Sequence, residues 1–303
     1  MLKSQPPCFY FLIVNYYCTP LISRLMASLR ENQVNDFSIV IVNNSPDDEQ
    51  IRTLKSENIY LLEAKKNLGF GKACNLGLNW IYAENKEAIV WLINPDAYLL
   101  PDSLPKASQF FVNHPEISLL GTEVYEPSGK IWFGWGKFSV KTGEIVVVEE
   151  SLDYQDKPYL SAQWVTGCSL LINLKQFQES PYFDTDYFLY YEDFDFCQRY
   201  AKGGHLIAIT NQIKVIHEAS SITLKYGYLR LIHNIYSYLL SLEKHTNPLL
   251  LWGRFIRMIF MSLVILPLKP KFALAKLQGI FLYCQRFINL SFIDKQTHVK
   301  NFN

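Results

Sequence analysis

Ala88-Ile-Val-Trp-Leu-Ile93-Asn94-Pro95-Asp96 is the stretch on which the reading of the fold turns. Six apolar residues end abruptly at an Asn-Pro-Asp turn. A continuous apolar run of this length, bounded by turn residues, is the pattern of a strand buried on both faces of a parallel sheet. The pattern repeats upstream. Phe9 to Val14 runs into Asn15, Phe37 to Val42 runs into Asn43-Asn-Ser-Pro-Asp-Asp48, and Ile59 to Leu62 is a shorter third copy. Between these runs, Leu21 to Leu29 and Phe70 to Tyr82 carry apolar residues at helical spacing. Asp47, Asp48 and Glu49 stand where a helix start favours negative charge. Strands alternating with helices imply an α/β fold, a mostly parallel Rossmann-like sheet flanked by helices. Ligands of such sheets bind beyond the carboxyl ends of the strands, so the clusters 43–48 and 94–96 are expected to meet in one cleft.

Beyond this core, residues 121–165 read as extended, aromatic segments around a loop over the cleft. Val165 to Ile172 reads as a strand, Phe183 to Gly204 as an aromatic and acidic entry to a helix, and Ile207 to Ile209 and Ile213 to Ile216 as two short strands. After about Tyr226 the composition shifts to apolar helices, giving an expected division into a catalytic domain, 1–225, and a helical C-terminal region, 226–303. In the latter, the longest uncharged stretch, Met258 to Leu268, is 11 residues, short of the roughly 20 that span a bilayer. Trp252 with Arg254, Arg257, Lys269, Lys271 and Lys276 fits a membrane-lying anchor; a buried helical subdomain or a partner interface has a similar composition.

Bulk composition excludes several classes. Hydrophobic residues make up 49% of the 303 and charged residues 19%, too apolar for a disordered chain. The net charge of +1 provides no broad electrostatic footprint for nucleic acid. Six cysteines, at 8, 18, 74, 168, 197 and 284, form no C-x-x-C pair and several lie in apolar runs, as buried free thiols of a reducing compartment would. Pro6 and Pro7 interrupt the N-terminus, and the apolar run after them leads straight into Asn15, so no signal peptide is expected.

Four clusters can carry chemistry. Asp96, a carboxylate at a strand end, can hold Mg2+ or Mn2+ bridging phosphates; the same three residues also make an ordinary turn. Asn67-Leu-Gly69-Phe70-Gly71-Lys-Ala-Cys-Asn75-Leu-Gly77 allows close backbone approach before a helix start that favours anions, or simply a close-packed helix. Phe183-Asp-Thr-Asp-Tyr-Phe-Leu-Tyr-Tyr191-Glu192-Asp193-Phe-Asp195 sets five carboxylates among aromatic residues. Apolar walls raise a carboxylate pKa, which is how a base for a sugar hydroxyl is tuned. His217, just after a strand, can complete a metal shell or contact a diphosphate, although a lone histidine is commonly structural.

In this order the clusters resemble glycosyltransferase family 2, and within it the rhamnosyltransferase-like bacterial members. Val14-Asn15-Tyr16 is similar to the first-strand motif, Asn67 to Gly77 to the NxGFxxxxNxG segment, and Leu92 to Asp96 to the metal-binding aspartate motif. Val165-Thr-Gly167-Cys-Ser-Leu-Leu is similar to the acceptor-side strand, and Phe183 to Arg199 to the FDxxFFxYxEDxDxxxR pattern. His217 falls where that family often has a histidine. The resemblance covers roughly residues 9–220. It implies a GT-A fold, inversion at the anomeric carbon, and a Mn2+ or Mg2+ held by Asp96 and His217. It implies Asp193 as the general base, with Glu192 its nearest rival. The nucleotide-sugar side falls to Asn15, Asn43, Asn44, Asn67, Gly69, Phe70, Asn75 and Asn94, the acceptor side to Gly167 and Tyr191. Many relatives have an aspartate where this chain has Asn43 or Val42, so the preferred nucleotide is left open.

The implied partners are a dTDP- or UDP-sugar donor, a saccharide or lipid-linked saccharide acceptor and a membrane surface. The implied location is cytoplasmic, peripheral on the inner face of the cell membrane. Two other readings stand beside this one. One is a catalytically silent sugar-nucleotide-binding subunit of a polysaccharide assembly complex, which would be free to lose Asp96, Glu192, Asp193 and His217. The other is a nucleotidyltransferase, which would carry a G-x-G-x-x-R-type loop near the first strand.

Overall fold

A computed structural model of the protein describes residues 7–32, 37–218 and 227–300, with side chains to residue 286. The described residues form two compact units. The first takes in residues up to Phe138, then Glu144–Phe188, and the chain from Glu192 to 218; the second takes in Ser139–Gly143, Leu189–Tyr191 and the chain from 227 onward.

The first unit is built on strands β1 (Phe9–Asn15), β2 (Phe37–Asn43), β3 (Ile59–Glu63) and β4 (Ile89–Ile93), the apolar runs of the sequence. β1 lies between β2 and β4, and β3 pairs with β2, all in parallel. Helices α1 (Thr19–Glu31) and α2 (Phe70–Glu84) provide the crossovers, while the acidic segment after Asp48 makes only a short 3-10 turn, Glu49–Leu54. Residues 97–125 add β5 (Ala97–Leu99), α3 (Ser103–Asn113) and β6 (Leu119–Tyr125). The short strands β7 (Ile131–Phe133), β8 (Trp135–Ser139), β9 (Glu144–Val148) and β10 (Leu160–Ser161) follow, then β11 (Ser169–Asn173), α4 (Glu192–Lys202) and β12 (Ile207–His217). The sheet order is β10-β12-β6-β11-β4-β1-β2-β3. β11 enters antiparallel between β4 and β6, and β6 is parallel to β12.

The core shows why the apolar runs sit centrally. Trp91 is fully buried and stacks on Phe11 at 5.4 Å. Its indole N–H donates to Ser169 Oγ at 3.0 Å, and that hydroxyl also accepts from Thr122 Oγ1 at 2.9 Å. A buried Trp thus has its one polar atom satisfied. Gly77 lets α2 approach β1: a Cβ there would collide with Leu12 Cδ1.

Two sequence expectations change. The strand expected from Val165 begins only at Ser169, because Gly167 and Cys168 give their N–H groups to side chains, Asp193 and Thr166, rather than to a ladder. The two short strands at 207–216 are one strand with an irregularity between Thr210 and Lys214. None of the six cysteines forms a disulfide, and Cys18, Cys74, Cys168 and Cys197 are buried.

The second unit contains α5 (Gly227–His245), α6 (Pro248–Ile265) and α7 (Pro270–Lys300). Gly279 allows α7 to approach α5, since a Cβ there would lie 2.7 Å from the Ile232 carbonyl oxygen. Asn247 caps α6 by accepting from Leu250 N–H at 2.9 Å. The loop 139–143 is tied to these helices by Tyr238 Oη donating to Gly143 O at 3.1 Å and Arg254 Nε donating to Thr142 O at 2.9 Å. α6 has 18 residues and a mean hydropathy of 1.6, long and apolar enough to cross a membrane by length and composition alone. The uncharged stretch within it is shorter because Arg254 and Arg257 interrupt its first half.

Candidate active site

The turn after β4 sets Asp96. Asn94 closes it by accepting from Ala97 N–H at 3.1 Å, and Asn94 N–H donates to Cys168 O at 3.0 Å. β5 then pairs antiparallel with the end of β12, placing His217 opposite Ala97. This register brings His217 Nε2 within 3.1 Å of Asp96 Oδ1, both side chains more than nine-tenths buried. Glu218 N–H donates to Asp96 O at 3.0 Å, and Trp132 packs edge-on against the His217 ring, 4.3 Å between centroids. His217 Nδ1 is buried with no hydrogen-bond partner.

Among the described residues, no group of three or more His, Cys, Asp or Glu side chains is arranged to hold a metal. One carboxylate oxygen and one imidazole nitrogen do converge. That donor pair suits Mn2+ or Mg2+, which accept a few protein ligands and take the remainder from phosphates and water.

Glu192 and Asp193 stand at the start of α4, where the helix dipole favours anions. Asp193 Oδ2 accepts from Gly167 N–H at 2.9 Å and Oδ1 accepts from Phe194 N–H at 2.8 Å. Burial raises the Asp193 pKa, and these two amides, with the Thr166 hydroxyl, act against the rise. Glu192 is buried, and its Oε2 has no hydrogen-bond partner. Burial, then the charge of Asp193, pushes its pKa up to about 8. Two adjacent carboxyls cannot both ionise cheaply, and the two N–H groups on Asp193 favour charge there over Glu192, whose Oε2 has no donor. Asp195, fully buried, is taken up by Arg199 at 2.7 Å.

Cys168 lies within electrostatic reach of both Asp96 and Asp193. The segment Thr166-Gly167-Cys168 therefore joins the turn to the helix start. Gly167 faces both sides: a Cβ there would lie 3.4 Å from Phe70 Cε1 and 3.5 Å from Asp193 Cβ. Tyr191 belongs to the second unit, where its ring lies 5.9 Å from that of Tyr238. Tyr190 and Tyr191 both adopt left-handed backbone, φ 71° and 63°, directly before Glu192. Non-glycine residues in that region cost on the order of 1–3 kcal/mol each, and such strain clusters at functional sites.

The asparagines at the other strand ends form a closed amide network. Asn15 Nδ2 donates to Asn43 Oδ1 at 3.0 Å and Asp48 Oδ2 at 2.9 Å, and Asn43 Nδ2 donates to Glu63 Oε2 at 2.8 Å. Asn44 donates to Asn67 Oδ1 at 3.0 Å and accepts from Leu68 N–H at 2.8 Å. Asn67 Oδ1 accepts from Gly69 N–H at 2.9 Å, and Phe70 N–H donates to Phe188 O at 3.0 Å, so two amides at the α2 start are engaged within the protein. Asn75 exchanges two hydrogen bonds with the Phe183 backbone, at 2.8 and 2.7 Å, pinning the acidic segment to α2. Gly69 has φ +83°, and a Cβ there would collide with Phe188 O. The side chain of Asn94 is half-buried.

Sequence reasoning passed over Trp132, which no motif spacing marks, gave Thr166 no role of its own within its motif, and assigned Asp48 only a helix-start charge. Asp48 in fact accepts from Asn15, Thr19 and the Gln50 N–H, so it organises the β1 and β2 ends.

A parallel half-sheet with one inserted antiparallel strand, a carboxylate turn after β4 and a carboxylate helix start beyond β11 define a glycosyltransferase of GT-A fold. Solved structures of that fold match the chain: GalNAc-T7 with UDP, GalNAc and Mn2+ at TM-score 0.55 and 13% identity, over 77% of this chain and 51% of that one. The chain thus spans about half the length of that protein. The mannosyltransferase PcManGT of Pyrobaculum calidifontis, in complex with GDP-Man and Mn2+, matches at TM-score 0.54 and 12% identity, over 93% of this chain and 88% of that one. The sequence model of glycosyl transferase family 2 matches residues 10–171, and the chain belongs to that family. It is 26% identical to an N-acetylglucosaminyl-diphospho-decaprenol L-rhamnosyltransferase of Mycobacterium tuberculosis, over 69% of this chain and 76% of that protein. It is 23% identical to the low-salt glycan biosynthesis hexosyltransferase Agl10 of Haloferax volcanii, over 68% of this chain and 66% of that protein.

Proposed function

We propose that the chain is an inverting, metal-dependent glycosyltransferase that moves a sugar from a nucleotide-diphosphate donor to a lipid-linked saccharide in surface-polysaccharide synthesis. The observation that carries this reading is the pairing of Asp96 and His217 at one end of the Thr166–Cys168 segment with Asp193, held by two backbone N–H groups, at the other. The first unit supplies the chemistry. Asp193 takes the proton from the acceptor hydroxyl as that oxygen attacks the anomeric carbon. The bond from the anomeric carbon to the diphosphate oxygen breaks on the opposite face, which inverts the centre. Asp96 and His217 would hold a Mn2+ or Mg2+ ion, which supplies positive charge to the departing diphosphate. The half-buried Phe70 and the backbone at Gly69 are assigned to the nucleotide-sugar side, and Gly167 to the acceptor side.

The named activity of the Mycobacterium tuberculosis relative makes a nucleotide-diphosphate rhamnose, taken first as the dTDP-sugar, and N-acetylglucosaminyl-diphospho-decaprenol the first donor and acceptor to try. UDP-sugars come next. A lipid-linked acceptor places the work at the inner face of the cell membrane, with the helical second unit as the membrane-associating part. The test is nucleoside diphosphate release with Mn2+ across dTDP-, UDP- and GDP-sugars and a membrane lipid extract, for the wild type beside Asp193→Asn and Asp96→Ala. Metal-dependent release abolished by both substitutions supports the reading. Tight donor binding without turnover on any acceptor refutes it and favours a silent sugar-nucleotide-binding subunit.

A further inference from the structure

The second unit carries an apolar face that the described residues leave exposed. Along α6, Leu249, Trp252, Ile256, Phe260 and Leu263 recur at intervals of three or four residues, so they share one side of the helix. They are between 53% and 86% exposed. Soluble monomers rarely leave a continuous stripe of large apolar side chains to water. The charge around it is one-sided. From Thr246 to Arg286 there is no Asp or Glu, while Arg254, Arg257, Lys269, Lys271, Lys276 and Arg286 lie in the same stretch. Arg254 donates to Thr142 O and Arg286 pairs with Glu243, both within the unit. Arg257, Lys269 and Lys271 are exposed beside the stripe or just past the end of α6, and Lys276 lies 4.6 Å over the Phe272 ring.

We infer that this face docks on an anionic lipid bilayer, with α6 lying in the plane of the headgroups rather than crossing the membrane. It takes up the membrane location of the reading above and supplies the surface responsible. Apolar side chains buried at the acyl boundary with basic residues at their rim are the arrangement of an interfacial helix. A crossing is disfavoured by Arg254: two turns into α6, its guanidinium is committed to the carbonyl of the unit's own loop 139–143. The opposite flank of α6 is used as well, with Ser262 buried. A second copy is a poorer occupant. A two-fold pairing of this face would bring Arg257, Lys269 and Lys271 of both copies together with no acidic residue in the segment to meet them.

The test is co-sedimentation of the full chain with vesicles of phosphatidylcholine alone or with a quarter phosphatidylglycerol. It needs neither donor nor acceptor, so it can fail while nucleotide release succeeds, or succeed while release fails. We expect pelleting with the anionic vesicles and release from them by high-pH carbonate. Replacing Arg257, Lys269 and Lys271 by Gln should weaken partitioning about 100-fold, near fivefold for each charge. Ile256→Glu with Phe260→Glu should weaken it about tenfold or more, with an unchanged thermal melt because both positions face solvent. The inference is overturned by a wild type that stays in the supernatant, by undiminished binding of the Glu double variant, or by retention through the carbonate wash, which would mark a crossing helix. It is also overturned if the double variant turns a dimer into a monomer in sedimentation equilibrium while vesicle binding is unchanged.

Discussion

The proton in the Glu192–Asp193 pair decides which carboxylate does the chemistry, and the two can be separated by amide substitution. Asp193 accepts N–H groups from Gly167 and Phe194 on its two oxygens, 2.9 and 2.8 Å. An asparagine can keep only one of these acceptors and must turn its NH2 toward the other donor. Asp193→Asn therefore removes the base and one hydrogen bond to a charged group, about 1.5–3 kcal/mol of local stability. Loss of a general base lowers turnover by roughly 10²–10⁴-fold. With the proton on Glu192, Glu192→Gln replaces one neutral group by another of nearly the same shape and should leave turnover within the same order of magnitude. The assay is the initial rate of nucleoside diphosphate release at saturating donor and acceptor, with the melting temperature recorded for each variant. A dead Glu192→Gln beside an active Asp193→Asn would refute the assignment. Equal loss in both would mean that the pair acts as one proton-sharing unit.

Glu192 also makes a prediction about pH. Its folded-state pKa is raised toward about 8 by burial and by Asp193, so between its unfolded pKa and that value the folded state binds more protons than the unfolded one. Stability then falls as pH rises through this window, and Glu192→Gln should flatten the decline in melting temperature from the ordinary carboxylate range up to about pH 8; an unchanged slope would count against a neutral Glu192. Mn2+ with a nucleoside diphosphate should raise the melting point of the wild type, about 2.7 kcal/mol of stabilisation at 100 times Kd. Asp96→Ala and His217→Ala should each lose most of that shift, and a full shift in both variants would move the metal elsewhere. Gly69→Ala should destabilise the chain by on the order of 1–3 kcal/mol through its positive φ, read by chemical denaturation, and should reduce donor binding by displacing the Phe188 carbonyl.

Much of this was legible before any coordinates. Phe9 to Val14, Phe37 to Val42 and Ala88 to Ile93 are apolar on both faces, and only a central strand can bury such a run, so β1, β2 and β4 follow from the residues alone. Residues 97–125 were silent: Ala97–Leu99 is too short to show a period, and the helix after Pro101 opens at Asp102, whose φ of 63° no propensity reveals. The candidate carboxylates were visible as residue types at strand and helix ends. Their division of labour was not, because it rests on which oxygen meets an amide. Glu192 and Asp193 are neighbours in sequence, yet one accepts two N–H groups and the other leaves an oxygen unpartnered. The asparagines were legible as a set, but the bond from Asn15 to Asn43 depends on the parallel register that sets the two opposite each other.

The tripeptide Thr166-Gly167-Cys168 works as a ruler. Its Cys168 carbonyl grips the turn that carries Asp96, and its Gly167 amide grips Asp193. In the proposed mechanism, the spacing between leaving group and base is thereby written into two backbone groups that no side-chain substitution removes. Surfaces that meet the acceptor can drift, one glycan to the next, while the distance over which the bond is exchanged stays fixed.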